Sequence, residues 1–289
     1  MYRLFLPLIM LVYLLGACNI AGVEQDNSKE IQLEIEAEQQ EIADTIKQNT
    51  LTDEVKSDSV ILEKDLAGGL KIKWLKKGEG RKISKNDLVR ISYQNCLEDG
   101  TVYDANAMIK KASIPFMVGW NLQTPGWDLA LVELSEGDEV EIFIPAALAR
   151  GEKGIPGLVP PNANNILKLN VKEIITPTKV VDDIRIWVVE QRKKPGDTIK
   201  YGDKVNLHYW VSSQSKPRYD NSYQRGAPFE LVMGDGNIVP GLYKALHFLR
   251  EGDKAMIHIP AKEAYGKEGL KNLVPPNEDL FYDIMVVNN

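Results

Sequence analysis

With 289 residues, 44% of them hydrophobic and 26% charged, the chain has globular composition and room for two ordinary domains. The formal charge of -6, with no run of Lys and Arg interleaved with aromatics, argues against nucleic acid as a partner. His208, His247 and His258 lie far apart without ligand spacing, so no metal site is expected.

Arg3 precedes an apolar run, Leu4 to Leu15, that stops at Cys18. The run is too short to span a bilayer comfortably. Its close, LGAC from Leu15 to Cys18, resembles the lipobox of bacterial lipoproteins, whose cysteine is acylated and becomes the first residue. The resemblance implies a signal segment over residues 1–17 and a lipid anchor on Cys18 that needs no membrane helix. Asn19 is not the aspartate associated with inner-membrane retention, so the outer membrane is favoured, on its periplasmic or surface face. A plain secretory signal is the alternative. With Cys18 acylated, Cys96 has no intramolecular disulfide partner and reads as a small core residue.

Residues 18–65 read as a tether. Ile31, Ile35, Ile42 and Ile46 form a short apolar stripe, which suits an amphipathic helix, solvated or dimerising, but is short for a coiled coil.

Beyond it the chain repeats itself. RISYQN at Arg90 aligns with NLHYWV at Asn206, and VYDAN at Val102 with RYDNS at Arg218. LSEGDEVEIFIPAALARG at Leu134 aligns with LREGDKAMIHIPAKEAYG at Leu249, and ARGEKGIPGLVPPN, Ala149 to Asn162, with AYGKEGLKNLVPPN, Ala264 to Asn277. A period this long means duplicated domains, over residues 66–177 and 178–289. In each copy β-rich segments read as strands: VRISY, EVEIFIP and ILKLNVKEI in the first, VNLHY, AMIHIP and LFYDIMVV in the second. One short helix per copy is expected, from Gly126 and from Gly241, with Leu131, Val132 and Leu134 suiting a helix laid on a sheet. The fold class is therefore α+β. Trp120, on the loop before the first helix, reads as an exposed aromatic that either contacts client chains or packs locally.

Both copies resemble FKBP-type peptidyl-prolyl isomerases, over about residues 68–175 and 179–287. The resemblance is carried by DGTVYDAN, PGWDLALVELSEGDEVEIFIP and GLVPPNA in the first copy, and by YDNS, APFELVMGDGNIVPGL, EGDKAMIHIPAKEAYG and LVPPN in the second. It implies two tandem domains, each an antiparallel sheet wrapped around one short helix. It also implies catalysed rotation about Xaa-Pro bonds of polypeptide clients, without cofactor or metal. Amide resonance sets a barrier of about 18–20 kcal/mol to that rotation; an apolar cup favours the twisted, less polar amide while fixed donors hold the flanking carbonyls.

By that resemblance the second copy has aromatic walls at Tyr209, Tyr219, Phe229 and Tyr282, and an apolar edge at Ile238 and Val239. The Val239 N–H and the Tyr265 hydroxyl would hold substrate carbonyls. Asp220 would sit beside the twisting amide, orient the tyrosines, or serve only as a turn former. Leu270, Leu273 and Val274 would form a flap, and Leu242 stands where the family usually has a tryptophan floor. The first copy keeps Trp127 on the floor with Tyr93, Tyr103, Asp104 and Phe116, and Ile155, Leu158 and Val159 as flap. There Arg150 replaces the loop tyrosine, Gln123 and Thr124 the apolar edge, and Leu167 the far wall. Arg150 would either hold water at the pocket or pair with a surface acid, Glu152 or Glu133. The expectation is an isomerase active mainly in its second domain and serving exported proteins. The other class is a non-catalytic binding or assembly lipoprotein, related forms of which occur in gliding and surface-export systems.

Overall fold

The computed structural model describes residues 61–191 and 196–287. The expected signal segment, Cys18 and the isoleucine stripe lie outside them.

Each copy of the repeat builds one seven-stranded antiparallel sheet and one short helix. The first contains β1 (Leu62–Asp65), β2 (Lys71–Lys76), β3 (Leu88–Leu97), β4 (Val102–Ala105), β5 (Ile114–Met117), helix α1 (Pro125–Leu131), β6 (Glu139–Ile144) and β7 (Asn165–Ile175). Its order is β1-β2-β6-β7-β3-β4, with β5 also on β3. The second contains β8 (Lys179–Val181), β9 (Ile184–Glu190), β10 (Lys204–Ser213), β11 (Asp220–Asn221), β12 (Phe229–Val232), helix α2 (Pro240–Leu246), β13 (Lys254–Ile259) and β14 (Leu280–Val287). Its order is β11-β10-β14-β13-β9-β8, with β12 also on β10. Strand β1 falls inside the segment expected as tether: Leu62 pairs with Trp74 and Asp65 with Lys71, so ordered structure begins before residue 66.

By their contacts the residues fall into two compact units. Among the described residues, one comprises 61–77, Ser92–Ser113 and Glu139–Leu169; the other joins Gly78–Ile91 and Ile114–Asp138 to the described residues from Asn170 on.

In the second unit, alternation explains the inner core. Val205, Leu207, Tyr209 and Val211 of β10, Ala255, Ile257 and Ile259 of β13, and Leu280, Tyr282, Ile284 and Val286 of β14 are buried in one cluster, as period-two side chains on one face must be. Helix α2 begins with Pro240, whose missing N–H costs nothing at a first helical position. It lays Leu242, Ala245 and Leu246 on that cluster, the spacing of one helical face. Gly241 allows the close approach: a Cβ there would lie 2.3 Å from Ile259 Cγ2 and 2.9 Å from the Glu263 carbonyl.

Part of the outer face of the same sheet is apolar as well, which alternation alone does not lead one to expect of an antiparallel sheet. Trp187, Met256 and Phe281 form a second core there with Leu88, Met117 and Trp120. The expectation of an exposed Trp120 is therefore wrong: it is 0% exposed. Its indole N–H donates to Asn86 Oδ1 at 2.8 Å, and its ring meets Phe281 at 5.6 Å and His258 edge-on at 5.8 Å. Cys96 is buried as expected. Trp120→Ala should cost about 3–5 kcal/mol, as truncation of a fully buried tryptophan does. Urea denaturation monitored by near-ultraviolet circular dichroism would measure it, and a cost below 1 kcal/mol would show this second core to be dispensable.

Candidate functional site

The second repeat brings its expected residues together. Tyr209, Val239, Leu242, Val274 and Tyr282 are buried in the inner core, and Tyr219, Phe229, Ile238, Tyr265 and Leu270 pack partly buried against it. Tyr209 stands edge-on to Phe229 at 5.9 Å and tilted to Tyr282 at 6.0 Å. Strand register places these rings: Tyr209 faces Ile284, and Tyr282 sits between Val211 of β10 and Ile257 of β13. Leu273, in the loop expected as flap, is 43% exposed. The loop turns there on reciprocal amide bonds between Leu270 and Val274, at 2.7 and 2.8 Å, which aim Val274 inward and leave Leu273 at the tip. Val239 is the N-cap residue of α2. Its carbonyl accepts from Leu242 and Tyr243, and its N–H is one of the amides that helix geometry leaves without an intrahelical acceptor.

The polar groups divide sharply. Tyr209 donates its hydroxyl proton to Asp220 Oδ2. Arg225, a residue with no signal in the sequence pattern, donates from one guanidinium nitrogen to Asp220 Oδ1 and from the other to the Tyr209 oxygen at 3.0 Å. Its guanidinium lies 5.5 Å from the Tyr209 ring centre. Burial alone would raise the Asp220 carboxyl, but these two partners outweigh it and hold the group below the usual carboxylate range. Tyr219 is different: its hydroxyl is buried, and its polar neighbour is a second phenol, Tyr265. Burial first, then the neighbouring Tyr265, push its pKa far up; burial likewise raises Tyr265 and Tyr282. These phenols stay protonated at neutral pH and can only be donors or weak acceptors.

In the first repeat the equivalent groups are tied up. Tyr93 donates to Asp104 Oδ1 at 2.9 Å, and Asn95 donates to Asp104 Oδ2 at 3.2 Å. The Tyr103 hydroxyl donates to the side-chain oxygen of Asn165, and burial pushes Tyr103 up to about 12. Leu167 is fully buried. Arg150 lies close enough for its charge to lower the pKa of Tyr93, Tyr103 and Asp104. Glu133 receives Lys82 instead. Burial of Asp104 outweighs its hydrogen bonds from Tyr93 and Asn95 and raises its carboxyl. Ile155 and Val159 repeat the reciprocal amide bonds, both at 2.8 Å; Val159 is buried and Leu158 half-buried. In the other unit Phe116 and Trp127 are buried with ring centres 5.2 Å apart. Thr124 caps α1 with its hydroxyl buried and unpaired, and Gln123 precedes it half-buried.

The two matched aspartates should therefore titrate on opposite sides of the ordinary value. Asp220, depressed, contributes stability above the unfolded-state pKa that is lost as pH falls through its folded value; Asp104, raised, contributes at low pH and loses that contribution as pH rises through its folded value. Carboxyl-carbon NMR titration should place Asp104 above Asp220, and Arg225→Ala should move Asp220 upward. An Asp220 titration unmoved by Arg225→Ala would show that the guanidinium does not hold the carboxylate.

A family model described as FKBP-type peptidyl-prolyl cis-trans isomerase matches residues 79–172 and again 196–287. Peptidyl-prolyl cis-trans isomerase FKBP10 of Mus musculus is 27% identical over 208 residues, 72% of this chain and 35% of that protein. FKBP9 of Bos taurus is 30% identical over 213 residues, 72% of this chain and 35% of its own length. FK506-binding protein 1 of Kluyveromyces lactis is 36% identical over 96 residues, 32% of this chain and 84% of that protein. The chain thus spans about a third of the first two relatives, 35% of each. Among solved structures, the three FKBP domains of wheat FKBP73 cover 77% of this chain and 95% of that one, at 25% identity and a TM-score of 0.39.

Proposed function

The chain belongs to the FKBP-type peptidyl-prolyl cis-trans isomerase family, with two such domains, and we propose that it catalyses Xaa-Pro isomerisation mainly in the second. The observation that carries this reading is the aromatic cluster of Tyr209, Tyr219, Phe229, Tyr265 and Tyr282 on the inner core, with the Tyr219 hydroxyl buried in it beside Tyr265. A phenol is a weak acceptor, so a peptide carbonyl arriving there offers the Tyr219 proton a better partner than the Tyr265 oxygen. Tyr265 and the Val239 N–H are the other donors on the apolar rim. Once the flanking carbonyls are held, the twisting amide lies against Tyr209, Phe229, Ile238, Leu242 and Tyr282. Loss of resonance makes the twisted amide less polar than the planar one, so the apolar cup favours it. Asp220, matched by Arg225 and Tyr209, acts by fixing the Tyr209 ring rather than as an unpaired charge. Leu242 keeps the floor apolar but less rigid than a tryptophan.

The first domain supports weaker chemistry, because the Tyr103 hydroxyl is already bonded to Asn165 and Arg150 stands where the loop tyrosine would be. Proline-containing segments of exported proteins are the proposed substrates. A lipid on Cys18 is the proposed anchor to the cell envelope, in the outer membrane.

Using the chain without its first 18 residues and a proline-containing tetrapeptide, Tyr219→Phe and Tyr265→Phe should each lower kcat/KM roughly 5- to 10-fold, the loss of one hydrogen bond. Tyr103→Phe should change it less than about twofold by the same reasoning. Equal losses for Tyr103→Phe and Tyr219→Phe would end the division of labour, and peptide binding without any acceleration would favour a non-catalytic chaperone. For the anchor, Cys18→Ser should shift the full chain from the membrane to the soluble fraction on cell fractionation; unchanged membrane association would remove the lipid from the proposal.

A further inference from the structure

The loop that carries Tyr265 hangs on one peptide group. The Ala261 carbonyl accepts from Ala264 N at 3.0 Å and from Gly266 N at 2.8 Å, the residues on either side of Tyr265. The Ala261 N–H in turn donates to Asp279 Oδ1 at 2.8 Å. The other oxygen of Asp279 lies 3.0 Å from His258 Nε2, and His258 Nδ1 lies 3.3 Å from an Arg185 guanidinium nitrogen. A guanidinium can only donate, so Nδ1 must accept and the ring proton sits on Nε2, where it donates to Asp279. The chain of bonds therefore has one direction, from Arg185 through His258 and Asp279 to the Ala261 peptide. Trp120 seals it, edge-on to the imidazole at 5.8 Å, and His258 is 5% exposed.

The other repeat supplies the comparison. There Asn164 Oδ1 accepts from Ala146 N at 3.0 Å, so the cap itself is retained. Phe143 stands in place of His258, Asn164 in place of Asp279 and Arg150 in place of Tyr265. The histidine–aspartate pair occurs in the copy that keeps the tyrosine.

We propose that Asp279 and His258 are positioning residues for Tyr265, holding its loop so that the hydroxyl meets the substrate carbonyl, with Trp120 closing the brace. Neither residue touches the peptide. The inference rests on the isomerase reading, and Trp120 packs on the buried His258 end of the brace. The Asp279 carboxyl agrees with it: burial would raise its pKa, but the His258 and Ala261 bonds hold it below the usual range.

The test is a set of double-mutant cycles on the full chain, with a proline-containing tetrapeptide as substrate. Asp279→Ala should lower kcat/KM roughly tenfold, about the worth of one charge-assisted bond. The loss should fall mainly in KM, since the hydroxyl holds planar and twisted peptide alike. His258→Phe, which installs the first repeat's residue and keeps the packing against Trp120, should lower it roughly threefold with the same split. In a Tyr265→Phe background both losses should shrink below about twofold, because contacts that act through one group are not additive. Equal losses in the two backgrounds, or no loss in either, would overturn the proposal. If the unmodified chain fails to catalyse, the enzyme reading falls and the brace is then read by hydrogen exchange. Asp279→Ala should speed exchange at the Ala264 and Gly266 amides roughly tenfold relative to the Val286 amide, as local opening does, and unchanged exchange would overturn it.

Discussion

A helix of seven residues is about 10 Å long, whereas β10, in the sheet it packs on, runs ten residues and about 33 Å. The sheet needs its inner face covered and the helix cannot cover it all. Leu242, Ala245 and Leu246 close the centre. What remains is an apolar end rimmed by Tyr209, Tyr219, Phe229, Tyr265 and Tyr282. On the proposed reading the cup is the part of this core that the helix leaves to the aromatic side chains, whose large rings bury area while their hydroxyls stay usable. Lengthening the helix by a turn would fill the site, which is why Pro240 at one end and the turn after Leu246 at the other matter for function as well as for fold.

The same sheet is used on both faces. Inward it holds the cup; outward Trp187, Met256 and Phe281 need a cover, and Trp120 with Leu88 and Met117 supplies it. Phe281 and Tyr282 are neighbours on one strand, one in each core, so the outer packing fixes the strand that carries the far wall of the site. A duplication that leaves two independent domains has no reason to place tryptophans on a sheet's outer face. Here the segments Gly78–Ile91 and Ile114–Asp138 form one compact unit with the second repeat.

Much of this is legible in the sequence, for a reason of scale. Repeated strings such as LVPPN, and alternation such as Val205, Leu207, Tyr209, are local signals, and they place most of the strands and the two helices. The resemblance then assigns roles to residues such as Tyr265 and Val239. The failures concern pairings between distant segments. Trp120 reads as a loop aromatic until Phe281, 161 positions later in the numbering, is set against it; the clue is that LFYDIMVV is, but for Asp283, apolar in both phases, which a strand with one wet face would not be. Leu273 is indistinguishable from Leu270 by composition, and only the turn bonds of the loop expose it. Arg225 and Asp220 lie five positions apart with no periodicity that would pair them, and the His258–Asp279 contact has no short-range signature at all.

The divergence of the copies reduces to how buried phenols are satisfied. Tyr103 and Tyr219 occupy the same place in the repeat, and both hydroxyls are removed from water. In the first copy Asn165 answers Tyr103; in the second the matching position is Leu280, fully buried and unable to accept. That one difference leaves the Tyr219 hydroxyl with a phenol, Tyr265, in place of an amide acceptor. An apolar neighbour would be a fault in a residue with only structural work, since a poorly paired buried hydroxyl is disfavoured. It is tolerable where a transient partner completes the bond. The Asn165 to Leu280 change runs alongside Asn164 to Asp279, so adjacent positions alter together: one removes the amide acceptor beside Tyr219, and the other strengthens the anchor beneath Tyr265. Read as one change, the two positions shift a repeat whose polar groups satisfy one another toward a repeat whose donors are held in place and kept available.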